Sequence, residues 1–295
     1  MNVDQQEWLT EQFELHRPHL RAVAYRMLGS LSEAEDAVQD AWLRLRRADA
    51  SEVEDLGGWL TAVVAGVALN MLRSRSARPE QSLDGIHVPD PVIDPADGTS
   101  PEHEALLADS VGLAMLVVLD TLTPPERLAF VLHDMFAVPF EDIAAILERS
   151  PEATRQLASR ARRRVRGTPP PADADLSGQW EVVEAFLAAA RSGDFDALVA
   201  VLDPDVVLRA DAGLSALSHR VRGAEEVAGQ ALMWSRIDLE MRRALINGAP
   251  GLVSLRAGRP FSVGAFSTRA GRIVEIDILA DPDRVGGLDL TILGD

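Results

Sequence analysis

The sequence predicts a multi-domain chain: two all-α blocks, the second closed by a helix-turn-helix, then an α+β block. Three observations carry this. Residues 5–78 and 102–166 repeat apolar side chains at the helical period. Within residues 139–166 a short helix, a three-residue turn and an Arg-rich helix follow one another. Residues 179–295 begin with helices and end in short alternating runs punctuated by glycine, the order of an α+β layer arrangement.

Block one spans residues 1–78. Trp8, Leu9, Phe13, Leu20, Val23, Ala24 and Met27 form a helical stripe that Gly29 ends. Ser32 and Glu35 then have capping-box spacing, ahead of Ala34, Ala37, Val38, Ala41, Trp42 and Leu45, a strongly amphipathic series. Gly57-Gly58 breaks the pattern, and Trp59 to Leu72, apolar nearly all round, predicts a buried helix. Residues 79–101 hold five prolines and no helical period and read as a linker. In block two, residues 102–166, Pro139 to Leu147 is a short helix, Glu148-Arg149-Ser150 a turn, and Ser150 with Pro151 a helix start. Residues 167–178 form a second linker, stiffened by Pro169-Pro170-Pro171. Block three, residues 179–295, predicts helices at Trp180 to Ala190, Phe195 to Leu202 and Gly223 to Trp234. Strands are predicted at Val206-Val207-Leu208, Leu252 to Arg256, Phe261 to Ser267 and Ile273 to Leu279.

Composition narrows the function. The 295 residues are 47% hydrophobic and 25% charged, which excludes a disordered chain, a collagen and a coiled-coil rod. No cysteine is present, so disulfides, zinc-thiolate sites and thiol catalysis are excluded. No signal peptide and no stretch of about 18 uncharged apolar residues is found, so the expectation is a cytoplasmic protein with no membrane partner. The net charge is −17, and all 29 basic residues are Arg. Phosphates repel such a chain on average, but the charge is uneven. Arg149 to Arg166 holds seven Arg against Glu152 alone, and Arg73, Arg75 and Arg78 form a second basic island.

On a helical wheel of residues 151–166, Thr154, Leu157, Ala158, Ala161 and Val165 cluster on one side. Glu152, Arg155, Gln156, Ser159, Arg163 and Arg166 cluster on the other. Such a helix fits the major groove, where Arg pairs with guanine and Gln with adenine; the alternative is a solvated Arg-rich surface helix. The helix over residues 32–47 presents Asp36, Gln39, Asp40 and Leu43 outward. It reads either as a protein-docking surface or as a solvated face matched to the helix dipole.

Ala34-Glu35-Asp36-Ala37-Val38-Gln39-Asp40-Ala41-Trp42-Leu43 resembles the polymerase-binding helix of extracytoplasmic-function bacterial sigma factors. Gly58-Trp59-Leu60-Thr61-Ala62-Val63-Val64, continuing to Leu69-Asn70-Met71-Leu72-Arg73, resembles their segment that melts and reads the −10 promoter element. Phe140-Glu141-Asp142-Ile143-Ala144 with Ser159-Arg160-Ala161-Arg162 resembles their −35-reading helix-turn-helix. The resemblance covers most of residues 10–166. It implies a non-enzymatic factor that binds core RNA polymerase and promoter DNA, through Asp36, Gln39, Asp40 and Leu43 to polymerase. The DNA-binding set it implies is Asn70, Arg73, Arg75, Arg149, Arg155, Gln156, Ser159 and Arg163. Many members carry a basic residue where this chain has Gly66 and Met71, so fewer phosphate contacts are expected there. Asn70 still offers a partner to a flipped base.

Block three resembles the cone-shaped, α+β SnoaL-like domain that one sigma subgroup carries. Asn247-Gly248-Ala249-Pro250-Gly251 is similar to a signature of that subgroup. Asp211-Ala212-Gly213 and Val88-Pro89-Asp90-Pro91-Val92 are reduced forms of two others. The expectation is a regulatory loop at residues 247–251 that contacts the promoter-reading half or its 79–101 linker, the alternative being an ordinary hairpin turn. Asp211, His219 and Asp277 are acid/base candidates; a turn position and a surface position are the competing readings of Asp211 and His219, and no catalytic residue, metal or cofactor is expected. A small ligand of unknown identity in the cone and a monomeric free state complete the expectations. The rival readings are a helix-turn-helix regulator with a ligand-sensing domain and a cyclase- or isomerase-like enzyme.

Overall fold

The computed structural model describes residues 3–47, 55–76, 86–98, 112–165, 175–213, 218–288 and 290–291. Arg78, Arg166, Pro169-Pro170-Pro171 and the expected boundaries near 78, 101 and 166 lie outside the described residues. The chain forms two compact units, Met1–Leu83 with Val118–Gly167, and Asp84–Val117 with Thr168–Asp295.

The first unit is helical. α1 (Val3–Leu28) stops where Gly29, at φ +69°, donates its N–H to Tyr25 O at 2.8 Å. α2 (Leu31–Leu45) is capped by Ser30, whose hydroxyl accepts from Glu33 N. The cap is therefore two residues before Ser32, because the turn at Gly29 leaves Ser30 extended and aimed at the first turn. α3 (Leu56–Ser76) runs through Gly57 and Gly58 instead of breaking there. Both glycines sit in its first turn, where Asp55 Oδ1 accepts from Gly58 N at 3.0 Å. A Cβ at Gly57 would press on His16, and one at Gly58 on Asp55. By length and composition α3 is apolar enough to cross a membrane. Here eight of its side chains, among them Leu60, Val64, Ala68 and Leu72, are buried, and it packs on α1 and α2.

After a short segment described below come α4 (Leu113–Asp120) and α5 (Pro124–Phe130), the latter extended by one π turn, Val131–Met135. α6 (Phe140–Leu147) and α7 (Pro151–Val165) follow. α5 and α6 pack against α3, so both helical blocks share one core. Buried Arg127 of α5 ties them further: its Nε donates to Arg26 O of α1 at 3.1 Å and its guanidinium pairs with Asp120. Arg26 in turn lies 4.9 Å above the Phe136 ring.

The second unit is a seven-stranded sheet with its first three helices on one face. β1 (Ile93–Pro95) is followed by α8 (Leu176–Ser192), α9 (Phe195–Val201), β2 (Leu202–Asp211), β3 (His219–Arg222) and α10 (Ala224–Trp234). The meander β4 (Glu240–Ile246), β5 (Ala249–Arg256), β6 (Arg259–Arg269) and β7 (Arg272–Leu279) leads to α11 (Pro282–Gly286). The order is β1-β4-β5-β6-β7-β2-β3, antiparallel except for parallel β2–β7. Trp180, Val183, Phe186, Val206, Leu208, Leu252, Phe266 and Ile276 fill the core beneath the helices. Val206, Leu208 and Ala210 face it, so Arg209 and Asp211 point to the opposite face. The sequence reading starts α8 at Trp180; Asp175 caps it and begins the helix at Leu176. β1, β3 and β4 were not expected. Within residues 86–98, part of the stretch expected as a linker is an edge strand, because Ile93–Pro95 pairs with Ala244–Ile246.

Candidate functional site

The helix-turn-helix is built by local rules. α6 ends at Glu148 in the left-handed region (φ +54°), and Arg149 N then reaches Ala144 O at 3.0 Å. Ser150 starts α7: its hydroxyl accepts from Ala153 N at 3.2 Å and its carbonyl from Thr154 N at 3.0 Å. Thr154, Leu157, Ala158 and Ala161 are buried, while Arg149, Arg155, Gln156, Ser159 and Arg163 are exposed. Carboxylates stand close to this surface. Arg155 Nη2 meets Glu141 Oε1 at 2.8 Å and its guanidinium lies over the Phe140 ring. Arg162 meets Asp134 at 2.6 Å. Arg164 and Arg160 approach Glu126 at 2.8 and 3.8 Å. Glu126 is buried and also accepts from the Thr123 amide and hydroxyl. Burial opposes its ionisation, but the two Thr123 hydrogen bonds and the guanidiniums of Arg164 and Arg160 together hold it below the usual carboxylate range.

On α3, Asn70 and Arg73 are exposed. Arg75 is tied to Glu33 of α2. Gly66, one turn before Asn70, faces open space: a Cβ there would meet nothing within 4 Å. On α2, Asp36, Gln39 and Leu43 are exposed, and Asp40 holds Arg44 at 2.9 Å. Gln39 borders a cavity of about 390 Å³ between α1 and α2, floored by Phe13, Val38 and Trp42.

In the second unit, Asn247 and Gly248 have φ of +50° and +77°, the two-residue turn of a β4–β5 hairpin. Ala249, Pro250 and Gly251 belong to β5. The turn also binds the segment at residues 86–98: Asn247 N donates to Val92 O at 2.8 Å, and Val92 N to Asn247 Oδ1 at 3.1 Å. A Cβ on Gly251 would run into Ile246 and the Gly264 carbonyl. At the other end of the segment, Asp211 Oδ2 accepts from Val88 N at 2.9 Å and from Arg284 Nη1 at 2.8 Å. Arg284 also holds Val88 O and Asp90 Oδ1, each at 2.6 Å. Asp277 is buried beside Arg209 (2.9 Å); burial raises its carboxyl to about 6 against the pull of Arg209, with Glu275 adding to the rise. His219 pairs in register with Ala210 and so lies on the helix-bearing face, away from Asp211 and Asp277.

Residues 12–78 match the family Sigma-70 region 2, and residues 113–165 match Sigma-70, region 4. The chain is 37% identical over 300 residues to the ECF RNA polymerase sigma factor SigJ of Mycobacterium tuberculosis, covering 95% of this chain and 94% of the relative. The chain belongs to the ECF RNA polymerase sigma factors. A probable ECF sigma factor of the same organism, SigI, is 33% identical over 289 residues, covering 97% and 98%. The crystal structure of SigJ superposes with a TM-score of 0.76 at 34% identity, over 95% of this chain and 99% of that one. As a sigma factor the protein binds core RNA polymerase and promoter DNA. Its two helical sigma regions precede a SnoaL-like α+β domain.

Arg155, Gln156, Ser159 and Arg163 of this sigma factor share the exposed face of α7, Arg149 is exposed in the turn before it, and Asn70 and Arg73 are exposed on α3. Arg75 turns back to α2. Glu126, Asp134 and Arg284 were not singled out in the sequence, and Asp90 was named only within the stretch Val88-Pro89-Asp90-Pro91-Val92. Thr123-Pro124-Pro125-Glu126 was legible as a capping signature with proline at the helix start. Nothing local marks Asp134 or Arg284.

Proposed function

We propose that this sigma factor reads the −35 element with the exposed face of α7, Arg155, Gln156 and Ser159 toward bases and Arg149 and Arg163 toward phosphates. Asn70 and Arg73 on α3 serve the −10 element, and Asp36, Gln39, Asp40 and Leu43 dock on polymerase in the cytoplasm. The carrying observation is α7 itself: a buried Thr154–Ala161 stripe behind an exposed Arg/Gln/Ser surface, seated on a capped tight turn. The parts we assign are residues 1–78 to polymerase and the −10 element, 102–166 to the −35 element, and 179–295 to regulation, with residues 86–98 held by the last. The two elements lie about 25 base pairs apart, roughly 85 Å at 3.4 Å per step. The 15-residue α7 is only about 22 Å long, and α6 packs on α3, so the first unit has to open on polymerase before both elements are read together.

We assign no catalysis to the second unit. Asp211 and Asp277 are engaged by Arg284 and Arg209, and His219 lies on the other face of the sheet. The cone interior is filled by Trp180, Phe186 and Phe266, which favours a contact role through Asn247–Gly251 over a ligand pocket.

Promoter-directed transcription with core polymerase is the test. Arg155→Ala is expected to relax specificity at one −35 position and cost about 1–3 kcal/mol. Asp40→Arg is expected to weaken core binding while changing stability by only about 0.5 kcal/mol. Tight promoter binding as a dimer without core polymerase would instead identify a conventional helix-turn-helix regulator.

A further inference from the structure

Four arginines of α7 are already engaged by carboxylates within the first unit. Arg155 is held by Glu141 of α6 at 2.8 Å and covers Phe140. Arg160 and Arg164 share Glu126 of α5, and Arg162 takes Asp134 from the π turn. These carboxylates differ in strength. The Glu126 side chain is 5% exposed, so an arginine leaving it would strand a buried anion, which is costly. The Glu141 side chain is 62% exposed, and a pair so placed is worth little and is easily exchanged. Among the described residues, Arg149 and Arg163 make no ion pair and remain available to phosphate.

We infer that Glu126, Asp134 and Glu141 set the discrimination of α7 between its promoter element and other DNA, by withholding Arg160, Arg162 and Arg164 from phosphate while the exposed Glu141 gives Arg155 up readily to a base. A guanine edge offers Arg155 two acceptors in place of the contact with Glu141. The six described arginines of the stretch therefore act on DNA as two free cations rather than six. Its binding to unrelated sequence is weak and its salt dependence shallow. This inference rests on α7 being the promoter-reading helix.

The full chain, assembled with core RNA polymerase, is titrated with promoter duplex and with the same duplex carrying a scrambled −35 element. The salt range runs from about 50 to about 200 mM, and each newly freed arginine steepens the log–log salt slope by about 0.9. Glu126→Gln frees two guanidiniums: the slope steepens by up to about 1.8, the affinity loss over that range grows about tenfold, and the preference for the intact element falls. Glu141→Gln, at an exposed position, steepens it by about 0.9 and enlarges the loss about threefold. Unchanged slopes in both variants overturn the inference. So does lower affinity for both duplexes at an unchanged slope, which a purely structural Glu126 would give. If Glu126→Gln does not fold, Glu141→Gln and Asp134→Asn decide it. A wild-type holoenzyme with no preference for the intact element overturns the reading of α7, and this inference with it, before any variant is compared.

Discussion

At the scale of the residue, Gly66 leaves a bare position on the helix assigned to the −10 element. It lies on α3 one turn before Asn70, with no atom beyond the helix's own backbone within 4 Å of where a side chain would begin. A side chain can therefore begin there without displacing a neighbouring element. Gly66→Arg is expected to strengthen promoter binding and steepen the salt slope by about 0.9, one added phosphate contact. It should also stabilise α3, since Gly costs a helix interior roughly 0.8–1 kcal/mol. Filter binding across a salt series, with thermal unfolding alongside, checks both. Gly251 is the opposite case. There the Ile246 side chain and the Gly264 carbonyl occupy the space of a Cβ, so the glycine is required by close approach of two neighbouring strands.

At the scale of elements, α7 and the β2–β7 pair show two uses of charge. On α7 the apolar stripe fixes which face is buried, and the ion pairs decide which arginines remain free. In the sheet, β2 and β7 run parallel and bring Arg209 opposite Asp277, with Glu275 two residues earlier. Burial keeps the Asp277 carboxyl up at about 6, above its ordinary 3.8. The folded state thus holds a proton that the unfolded chain releases between those values. That stabilisation is full below the unfolded pKa and is lost as pH rises through the folded one. Relative to Asp277→Asn, the wild type should lose stability between about pH 4 and pH 6, on the order of 2 kcal/mol. Thermal midpoints of the two proteins, measured side by side across that interval, give the answer; parallel curves would place the Asp277 pKa in the ordinary range.

For the whole molecule, the consequential arrangement is the grip of the second unit on residues 86–98. That segment leads from α3 toward α4, between the two promoter-reading regions in sequence. It is clasped by Asn247 at Val92, by the β1–β4 pairing, and by Asp211 and Arg284 at Val88 and Asp90. Under the proposed regulatory role, holding it limits the freedom with which the two sigma regions separate. Asn247→Gly preserves the left-handed turn, which glycine accepts, but deletes the carboxamide that Val92 N uses. One such hydrogen bond is worth about 0.5–1.5 kcal/mol. Promoter output is expected to rise about two- to tenfold with polymerase affinity unchanged, read by run-off transcription; equal output would mean that this contact regulates nothing.

What the sequence determined by itself was whatever depends on neighbours within about one helical turn or one hairpin. The stripes of α2, α3 and α7, the Ser150 start of α7, the Gly29 stop and the Asn247-Gly248 turn all follow from spacing and backbone preference. So does the exposed Arg155, Gln156 and Ser159 surface, because a helix buries one face and the wheel names the other. The tertiary structure decided everything that depends on partners distant in the chain. Arg164 meets Glu126 across 38 residues, and Arg284 meets Asp90 across 194. The strand at Ile93–Pro95 exists because the edge of β4 offers it unpaired backbone groups, not because its own residues favour a strand. Ser32 lost the cap to Ser30, and the glycines at 57 and 58 joined a helix, because Gly29 and the packing of His16 set local geometry that spacing does not encode. Periodicity is a property of the chain; the choice of ion-pair and strand partners is a property of the folded surface that the chain builds.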